Sequence, residues 1–449
     1  MSELLLEDRV TTHSYKIDQD FSNTIKKQNI DLGVPRNQRK RIVIVGGGFA
    51  GLHLIKKLSS DNYQVVLIDK HNHHNFQPLL YQVATSGLEA DSIAYPLRKV
   101  LADHKDYHFR MGQAKEIKPH ENVLITDQGS ISYDYLVIAT GAKTNYFGME
   151  NVAKYALPMK SVAEAMNLRN TILQNYEQAL LTNDLKEREE LMNVVIAGGG
   201  PTGVELAGAL AEFKRYIMPK DYPDLNIERS KVYLIELLPE LLPPMSDQAS
   251  KKSKEYLEKM GVIVQTETKI EDFNGKVVKT DKGDIPSQLL VWTGGVSPAG
   301  IPGLPDAVLA KGGRIKCNEY GQVEGFDSIY ALGDVAKFES IDYPKGHPQL
   351  AAVAVDQGKF LGGHLNRLLK GEKLKPYSYF DKGSMATVGR NKAVVDLPKW
   401  KFQGAFAWFV WLGVHLFSLI GFRNKAVTFT NWVSNYFSRD RHSRVIIKD

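Results

Sequence analysis

The chain has 449 residues, of which 43% are hydrophobic and 24% charged, so it is long enough for two or three packed domains and its composition excludes a disordered chain. Its formal net charge of +6 is too small and too dispersed to predict a nucleic-acid groove. The single cysteine, Cys317, excludes both an intrachain disulfide and a CxxC redox pair.

The first 37 residues are polar and mixed in charge, which predicts a loose N-terminal extension. The apolar run from Leu4 to Leu6 is too short for the core of a signal peptide. The sequence therefore predicts a cytosolic start to the chain.

The stretch RKRIVIVGGGFAGLHLIKKL predicts a strand, a tight turn and a helix. Gly46 allows the turn, Gly48 admits a pyrophosphate, and Gly51 lets the helix contact the strand closely. The next strand ends in Asp69, where a carboxylate can accept hydrogen bonds from a ribose diol. A lone glycine motif is weak evidence, but both strands and the acid together predict a dinucleotide site.

A second copy of this pattern contains Gly198, Gly200 and Gly203, and its following strand ends in Glu236. A carboxylate at this position favours a free 2′-hydroxyl and repels a 2′-phosphate, which predicts NADH over NADPH. Two dinucleotide folds in a chain without redox cysteines predict a bound flavin paired with a nicotinamide.

Two further apolar strands lie before and after the second motif, and they end in the dipeptides Thr140-Gly141 and Gly333-Asp334. Such dipeptides are ordinary in turns. In flavoproteins with two dinucleotide-binding domains, segments that resemble these complete the FAD site, with the aspartate near the ribityl chain. The FAD domain is therefore predicted to be discontinuous.

The predicted fold class is α/β, with two Rossmann-like domains and C-terminal amphipathic helices. The predicted boundaries are an extension at 1–37, an FAD domain at 38–155 and 310–385, an NADH domain at 156–309, and a membrane-anchoring region at 386–449.

The stretch GAFAWFVWLGVHLFSLIGF, residues 404–422, has only His415 and Ser418 as polar side chains. A helix of this length would span roughly 28 Å, close to a bilayer core. Its glycines, its scattered aromatic residues and a histidine near the bilayer centre argue against a span.

The following segment carries its apolar residues on one helical face, which is typical of an interfacial helix. This face comprises Phe429, Trp432, Val433, Tyr436 and Phe437. The sequence therefore favours two helices lying in the membrane surface over a transmembrane span or a buried contact between subunits.

Three stretches resemble type II NADH:quinone oxidoreductases, the single-subunit, non-proton-pumping NADH dehydrogenases: NHHNFQPLLYQVATSGLEADSIAYPLR, DKGSMATVGRNKAVVDL and AWFVWLGVHLFSLIGFRNKAVTFTNW. The resemblance implies a pyridine nucleotide-disulfide reductase-like fold, non-covalent FAD and NADH as donor. It also implies hydride transfer to the flavin, then two-electron reduction of a membrane quinone. It further implies a peripheral protein on the cytoplasmic face of the cell membrane, or on a mitochondrial inner membrane in a eukaryote, and often a homodimer.

The resemblance assigns roles to single residues. Glu205 corresponds to the family glutamate near the nicotinamide and the flavin, although by position alone the helix macrodipole equally explains an acid there. Ala351 is assigned to the FAD site and Gly294 to the NADH site.

The predicted quinone site departs from the family pattern. Members commonly carry Ala-Gln-x-Ala-x-Gln, whereas this chain has Ala352 and Asp356 at the two glutamine positions. Alanine cannot donate to a quinone carbonyl, and an ionised aspartate only accepts. The candidate quinone residues are therefore Ala352, Gln349 and Gln357.

No metal site is predicted, because no second cluster of ligands accompanies His71, His73 and His74. Two rival functions share parts of this pattern. A sulfide:quinone oxidoreductase needs catalytic cysteines, and Cys317 alone does not supply them. A membrane-docked protein that binds NADH and FAD as a sensor, or that reduces a non-quinone acceptor, differs from the enzyme only in its rate with quinone.

Overall fold

The computed structural model describes residues 30–59, 62–102, 104–340, 342–441 and 443–447. Residues 1–29 of the predicted extension lie outside the described residues. The folded body already includes Leu32 and Val34, which are buried. The Arg41 guanidinium donates to the Val34 carbonyl at 2.7 Å and pairs with Asp31 at 2.8 Å, and both contacts hold this segment against the first strand.

The first sheet has five parallel strands, with the strand of the first glycine motif at its centre. In spatial order they are Ile329–Ala331, Tyr135–Ile138, Lys40–Val45, Tyr63–Asp69 and Tyr107–Met111. The central strand is buried after its first residue, as a continuous β-branched run in a parallel sheet requires. Distant parts of the chain thus build one sheet.

The second sheet repeats this plan around the second glycine motif. Its strands, in spatial order, are Leu157–Pro158, Leu290–Trp292, Val194–Ala197, Val232–Ile235 and Val262–Gln265. In both sheets the strand order reverses on either side of the central strand. Ligands of open α/β sheets bind beyond the carboxyl ends of the strands at such a reversal.

The remaining elements cover and connect the two sheets. The helices are Phe49–Lys57, Leu80–Ala84, Leu97–Leu101, Glu150–Tyr155, Val162–Leu181, Leu185–Met192, Pro201–Tyr216, Met218–Asp221, Asp247–Lys259, Ala351–Leu369, Ala405–Ser418 and Phe422–Ser438. The 3-10 turns are Ile30–Gly33, Gln77–Leu79, Ala90–Ser92, Ile227–Arg229, Asp306–Val308 and Gly333–Val335. The small sheets contain His73–Asn75 with Ala94–Pro96, Ala114–Lys118 with Val123–Thr126 and Gly129–Ser132, Ala142–Thr144 with Val296–Pro298, Ile270–Phe273 with Val277–Thr280 and Gly283–Pro286, and Ile315–Cys317 with Ala336–Phe338.

The C-terminal part begins with an antiparallel sheet of the strands Ser384–Gly389, Lys392–Asp396 and Lys401–Gln403. The first C-terminal helix, Ala405–Ser418, and the second, Phe422–Ser438, follow it, and Gly421 separates them with a positive φ of 83°. In the described part of the chain, no helix is long and apolar enough to cross a membrane. The predicted α/β fold with two Rossmann-like sheets and C-terminal helices is confirmed.

Candidate functional site

The first glycine turn is built for close backbone contact and an open front. A Cβ at Gly46, where φ is 110°, would lie 2.2 Å from the Ala139 carbonyl oxygen, and one at Gly51 would lie 2.0 Å from the Gly46 oxygen. At Gly48, by contrast, no atom would lie within 4 Å of a Cβ. Gly48 precedes the helix Phe49–Lys57, so this open space faces the positive end of a helix, which favours anionic groups such as a pyrophosphate.

Asp69 lies at this turn, as predicted from its place after the second strand. Its Oδ2 accepts from the Gly47 backbone N–H at 2.7 Å, and its Oδ1 accepts from the His71 backbone N–H at 2.8 Å. Behind the turn, His74 Nδ1 donates to the Gly47 carbonyl at 3.0 Å, and burial lowers the pKa of His74 to about 4. A neutral imidazole therefore braces the turn at neutral pH.

The segment around Asp334 closes the same site from the other side. A Cβ at Gly333 would lie 3.5 Å from the Ala50 and Ala354 methyl groups, so this turn contacts both the first-motif helix and the helix Ala351–Leu369. Burial raises the pKa of Asp334, while the charges of Lys160 and Arg314 oppose this rise. Lys160 was not identified from the sequence.

The predicted quinone amides are partly engaged at this segment. Gln357 is fully buried, and its Oε1 accepts from the Gly333 N–H at 2.7 Å, which leaves its buried Nε2 without a partner. Gln349 Nε2 donates to the Asp334 carbonyl at 2.8 Å. Ala351 and Ala352 are exposed at the start of the helix Ala351–Leu369, so a flat ring could approach them.

The second glycine turn has the same construction as the first. A Cβ at Gly198 would lie 2.7 Å from the Gly294 Cα, one at Gly203 would lie 1.9 Å from the Gly198 oxygen, and space at Gly200 is open. Glu236 accepts from the Gly199 N–H at 2.5 Å through Oε2 and from the Leu238 N–H through Oε1. Gly294 therefore lies directly against the turn, and a side chain on Gly198 would collide with it.

Glu205 is enclosed where the nucleotide folds meet the C-terminal part. Its helix begins at Pro201, because proline is favoured at a first helical position. Glu205 thus lies beyond the first turn, where the macrodipole has little effect. Burial raises the pKa of Glu205 to about 8, and a 3.4 Å hydrogen bond from the Thr387 N–H opposes this rise. The carboxyl therefore holds a proton at neutral pH.

The neighbours of Glu205 come from three distant segments. Tyr81 lies in the short helix Leu80–Ala84, Thr387 lies in the C-terminal sheet, and Trp411 lies in the first C-terminal helix. Burial raises the pKa of Tyr81, and the nearby Glu205 carboxyl adds to this rise. All three segments carry the family resemblance in the sequence, but no sequence signal indicates that they meet around one carboxyl.

A row of aromatic rings in successive contact extends from the first glycine turn to the surroundings of the Glu205 carboxyl. Ring centroids are 5.8 Å apart for Phe49 and Phe76, 6.4 Å for Phe76 and His415, and 3.9 Å for His415 and Trp411. His415 Nδ1 donates to the Trp411 carbonyl at 2.8 Å, and burial lowers its pKa to about 4. His415 is therefore neutral at neutral pH, and its ring packs against Phe76 and Trp411.

Glu205 lines a cleft of about 360 Å³ between the helix Pro201–Tyr216, the C-terminal sheet and the two C-terminal helices. Tyr81, Thr387 and Trp411 line the same end of it. The cleft thus extends from a protonated, buried carboxyl toward the C-terminal helices.

Two family profiles match the chain. The pyridine nucleotide-disulphide oxidoreductase family matches residues 40–358, and the NDH2 C-terminal domain matches residues 382–440.

Curated relatives match over almost the whole chain. The type II NADH:quinone oxidoreductase Ndh of Mycobacterium tuberculosis is 34% identical over 424 residues, with 90% of this chain and 89% of the relative covered. The internal alternative NAD(P)H-ubiquinone oxidoreductase A1 of Solanum tuberosum mitochondria is 32% identical over 448 residues, with 90% and 88% covered.

Solved structures share the fold at lower identity. NDH2 from Plasmodium falciparum in complex with NADH has a TM-score of 0.83 and 21% identity, with 92% of this chain and 100% of that chain covered. The sulfide:quinone oxidoreductase of Aquifex aeolicus has a TM-score of 0.67 and 17% identity, with 89% and 96% covered.

Proposed function

This chain belongs to the type II NADH:quinone oxidoreductases, and from that premise we propose that it oxidises NADH and reduces a membrane quinone with the help of bound FAD. The observation that carries this proposal is that one chain contains two open glycine turns and, in a cleft lined by the C-terminal helices, a protonated carboxyl at Glu205. A sulfide:quinone oxidoreductase is disfavoured because Cys317 is buried, and burial raises the pKa of its thiol to about 12.

We assign the FAD site to residues around the first glycine turn. They are Gly46, Gly48, Gly51, Asp69, Thr140, Gly141, Asp334 and Ala351. These residues fit the cofactor because the space at Gly48 and Gly141 is open and the buried Thr140 hydroxyl has no protein partner. When bound, FAD supplies the two-electron chemistry that neither the carboxyls nor the single thiol of this chain can perform.

We assign the NADH site to Gly198, Gly200, Gly203, Glu236 and Gly294. The open space at Gly200 would take the pyrophosphate at the start of the helix Pro201–Tyr216. The Glu236 carboxylate, fixed by two backbone N–H groups, would accept from the 2′-hydroxyl of the adenosine ribose and repel a 2′-phosphate.

Reduction of a quinone consumes two protons, and we assign Glu205 to hold one of them on its carboxyl. A pKa of about 8 keeps this proton bound at neutral pH yet lets it leave when an acceptor oxygen becomes basic. Exposed Ala352 would allow a flat quinone ring to approach, while Gln349 and the buried Gln357 would support the adjacent turn through their bonds to Asp334 and Gly333.

We propose that the C-terminal helices dock on the membrane surface. Both leave large apolar side chains exposed: Phe406, Phe409, Val414 and Phe417 on the first helix, and Phe422, Phe429, Val433 and Phe437 on the second. An exposed patch of this kind marks a protein or membrane contact, and the adjacent cations suit anionic headgroups. A peripheral position on the cytoplasmic face, or on a mitochondrial inner membrane in a eukaryote, and a homodimer remain predictions from the family resemblance.

The test is NADH oxidation by the purified, FAD-loaded protein with a short-chain quinone, with NADPH as the comparison donor. We expect rapid, NADH-specific quinone reduction. Glu205→Gln should retain FAD and lower kcat by about 100-fold, because the amide cannot donate the acidic proton. Quinone that never reoxidises the NADH-reduced protein would overturn the enzyme assignment in favour of a sensor or another acceptor.

A further inference from the structure

The cleft that ends at Glu205 has a cationic mouth. Its lining includes five basic side chains, of which Arg441 pairs with Glu212; the other four are Arg215, Arg390, Lys392 and Arg439. Arg215 and Arg439 are exposed, whereas Glu205 and Trp411 are buried, so these two arginines lie at the opening; Arg390 and Lys392 are half-buried. The proposed redox chemistry uses none of them.

These four cations have no carboxylate partner in the described ranges, although acids lie nearby. Glu212 accepts from the Arg390 backbone N–H at 2.6 Å and pairs with Arg441 at 3.3 Å. Asp440 pairs with Arg444. The acids at the mouth are thus already engaged, and the cleft presents net positive charge to an incoming ligand.

Aromatic rings contact all three guanidinium groups of this set, and the Arg215 group lies 5.6 Å from the Tyr216 ring centroid. The Arg390 guanidinium carbon lies 3.9 Å from the centroid of the Tyr436 ring, and that of Arg439 lies 4.9 Å from the Tyr216 ring. Arg390 Nη1 is buried without a hydrogen-bond partner. The Arg390 side chain also hydrogen-bonds the Tyr436 hydroxyl, which leaves Nη1 as its N–H group without a partner. A guanidinium held by a ring can still bind phosphate oxygens through its remaining N–H groups.

The wall of the cleft is apolar and continues into the exposed face of the second C-terminal helix. Trp408, Leu412 and Trp432 line the cleft next to Tyr436. Tyr436 lies seven residues after Phe429, almost two helical turns, so it borders the exposed apolar stripe of that helix. A ligand with a charged head and an apolar chain could therefore reach the cleft from the docked membrane.

We propose that this cleft mouth binds the phosphate of an anionic phospholipid, with the acyl chain lying along the tryptophan wall. An uncharged quinone head would leave the four basic groups unused, whereas inorganic phosphate would leave the apolar wall unused. The proposal rests on the proposed membrane docking and adds to it a specific lipid site.

The test uses dihexanoyl phosphatidylglycerol below its critical micelle concentration, so that no membrane surface forms. Calorimetric titration of the FAD-loaded protein should show saturable binding that is at least tenfold tighter than for dihexanoyl phosphatidylcholine or inorganic phosphate. Arg390→Gln with Arg439→Gln should weaken binding at least tenfold. The control, Lys399→Gln with Lys401→Gln, removes the same charge from exposed positions outside the cleft and should leave binding within twofold.

Arg215→Gln with Lys392→Gln is a second pair if the first fails to fold, as judged by retained FAD and melting temperature. Equal binding of phosphate alone, or of phosphatidylcholine, would overturn the proposal, as would no saturable binding at all. Sedimentation with phosphatidylglycerol vesicles distinguishes the lipid site from the proposed membrane docking. Binding to vesicles without binding of the monomeric lipid would reject the cleft site and leave the docking proposal standing. Monomer binding without vesicle binding rejects the proposed docking.

Discussion

Glu205 illustrates how the surroundings of one residue set its chemistry. The same side chain on an exposed helix would be ionised at neutral pH, but here burial raises its pKa to about 8. Two groups favour its charged form, the Thr387 N–H, whose hydrogen bond is long at 3.4 Å, and the Trp411 side chain. Desolvation therefore outweighs hydrogen bonding, and the carboxyl stays neutral until slightly alkaline pH.

This raised pKa predicts a pH dependence of stability. The folded protein keeps a proton that the unfolded chain releases above about pH 4.5, so the contribution of Glu205 to the free energy of unfolding falls as pH rises from there to about 8. Glu205→Gln should flatten the melting temperature of the FAD-loaded protein across this range. The exposed Glu258→Gln variant should keep the wild-type slope. An unchanged slope in the Glu205 variant would show that its carboxyl is ionised in the fold.

Glu236 provides the second residue-scale prediction. Its two carboxylate oxygens accept from the Gly199 and Leu238 N–H groups, and charge-assisted bonds of this kind contribute about 1.5–3 kcal/mol each. Glu236→Gln should raise the KM for NADH about tenfold or more and should narrow the preference over NADPH, because the repelling charge is gone. Steady-state kcat/KM with both donors measures this. A preference that stays at the wild-type ratio would assign the discrimination to another group.

At the scale of elements, the second C-terminal helix is oriented by its polar side chains. Asn424 donates to the Ala94 carbonyl at 2.9 Å, and Asn435 donates to the Gly87 carbonyl at 3.0 Å. Thr428, between them, is fully buried. The polar face therefore docks on the protein and directs the apolar face outward, the reverse of an ordinary surface helix.

Trp432 and Tyr436, which the helical pattern groups with the apolar face, lie at its border and are only partly exposed. Trp432 Nε1 donates to Gln82 at 2.7 Å. Partners elsewhere in the chain thus narrow the exposed stripe predicted from helical spacing.

Contact between the helix Pro201–Tyr216 and the C-terminal sheet depends on Gly208. A Cβ there would lie 1.8 Å from the Val388 backbone oxygen, so any larger residue at this position would force the sheet away from the helix. Gly208→Ala should destabilise the protein by about 1–3 kcal/mol through overpacking and should disturb the Glu205 environment. Gly363→Ala, in the helix Ala351–Leu369 where no atom would lie within 4 Å of a Cβ, should be neutral or stabilising by up to about 1 kcal/mol. Equal melting temperatures for the two variants would refute this contact.

At the scale of the whole molecule, the exposed apolar side chains of the C-terminal helices share one end of the fold with the cleft that leads to Glu205. The C-terminal segment is fixed there by ion pairs, since Arg441 contacts Glu212 and Arg444 contacts Asp221. We therefore expect docking of these helices to place the cleft, and with it the access path to the buried Glu205 carboxyl, next to the membrane.

Binding to lipid vesicles should depend on the exposed phenylalanines of the C-terminal helices. Phe417 and Phe437 are each 79% exposed, and burial of a phenylalanine contributes about 1.5–3 kcal/mol. Replacing both with Ser should lower partitioning into lipid vesicles by at least about tenfold. Leu181→Ser is the control because Leu181 is 86% exposed but lies on the helix Val162–Leu181. Equal loss from both variants, or from neither, would argue against docking through the C-terminal helices.

The sequence by itself determined both nucleotide turns, because a strand, a glycine turn, a helix and a terminal acid are local features whose spacing has few structural solutions. It also determined that the C-terminal segment forms two helices. It could not determine what surrounds Glu205, because Tyr81, Thr387 and Trp411 become neighbours only when three distant segments pack together.

Nor could it determine which face of the second C-terminal helix would contact the protein. Helical spacing defines the two faces, but the backbone carbonyls of Gly87 and Ala94 select the polar one. Only the tertiary structure brings these acceptors to the helix, and a buried carbonyl without a donor costs more than an exposed phenylalanine.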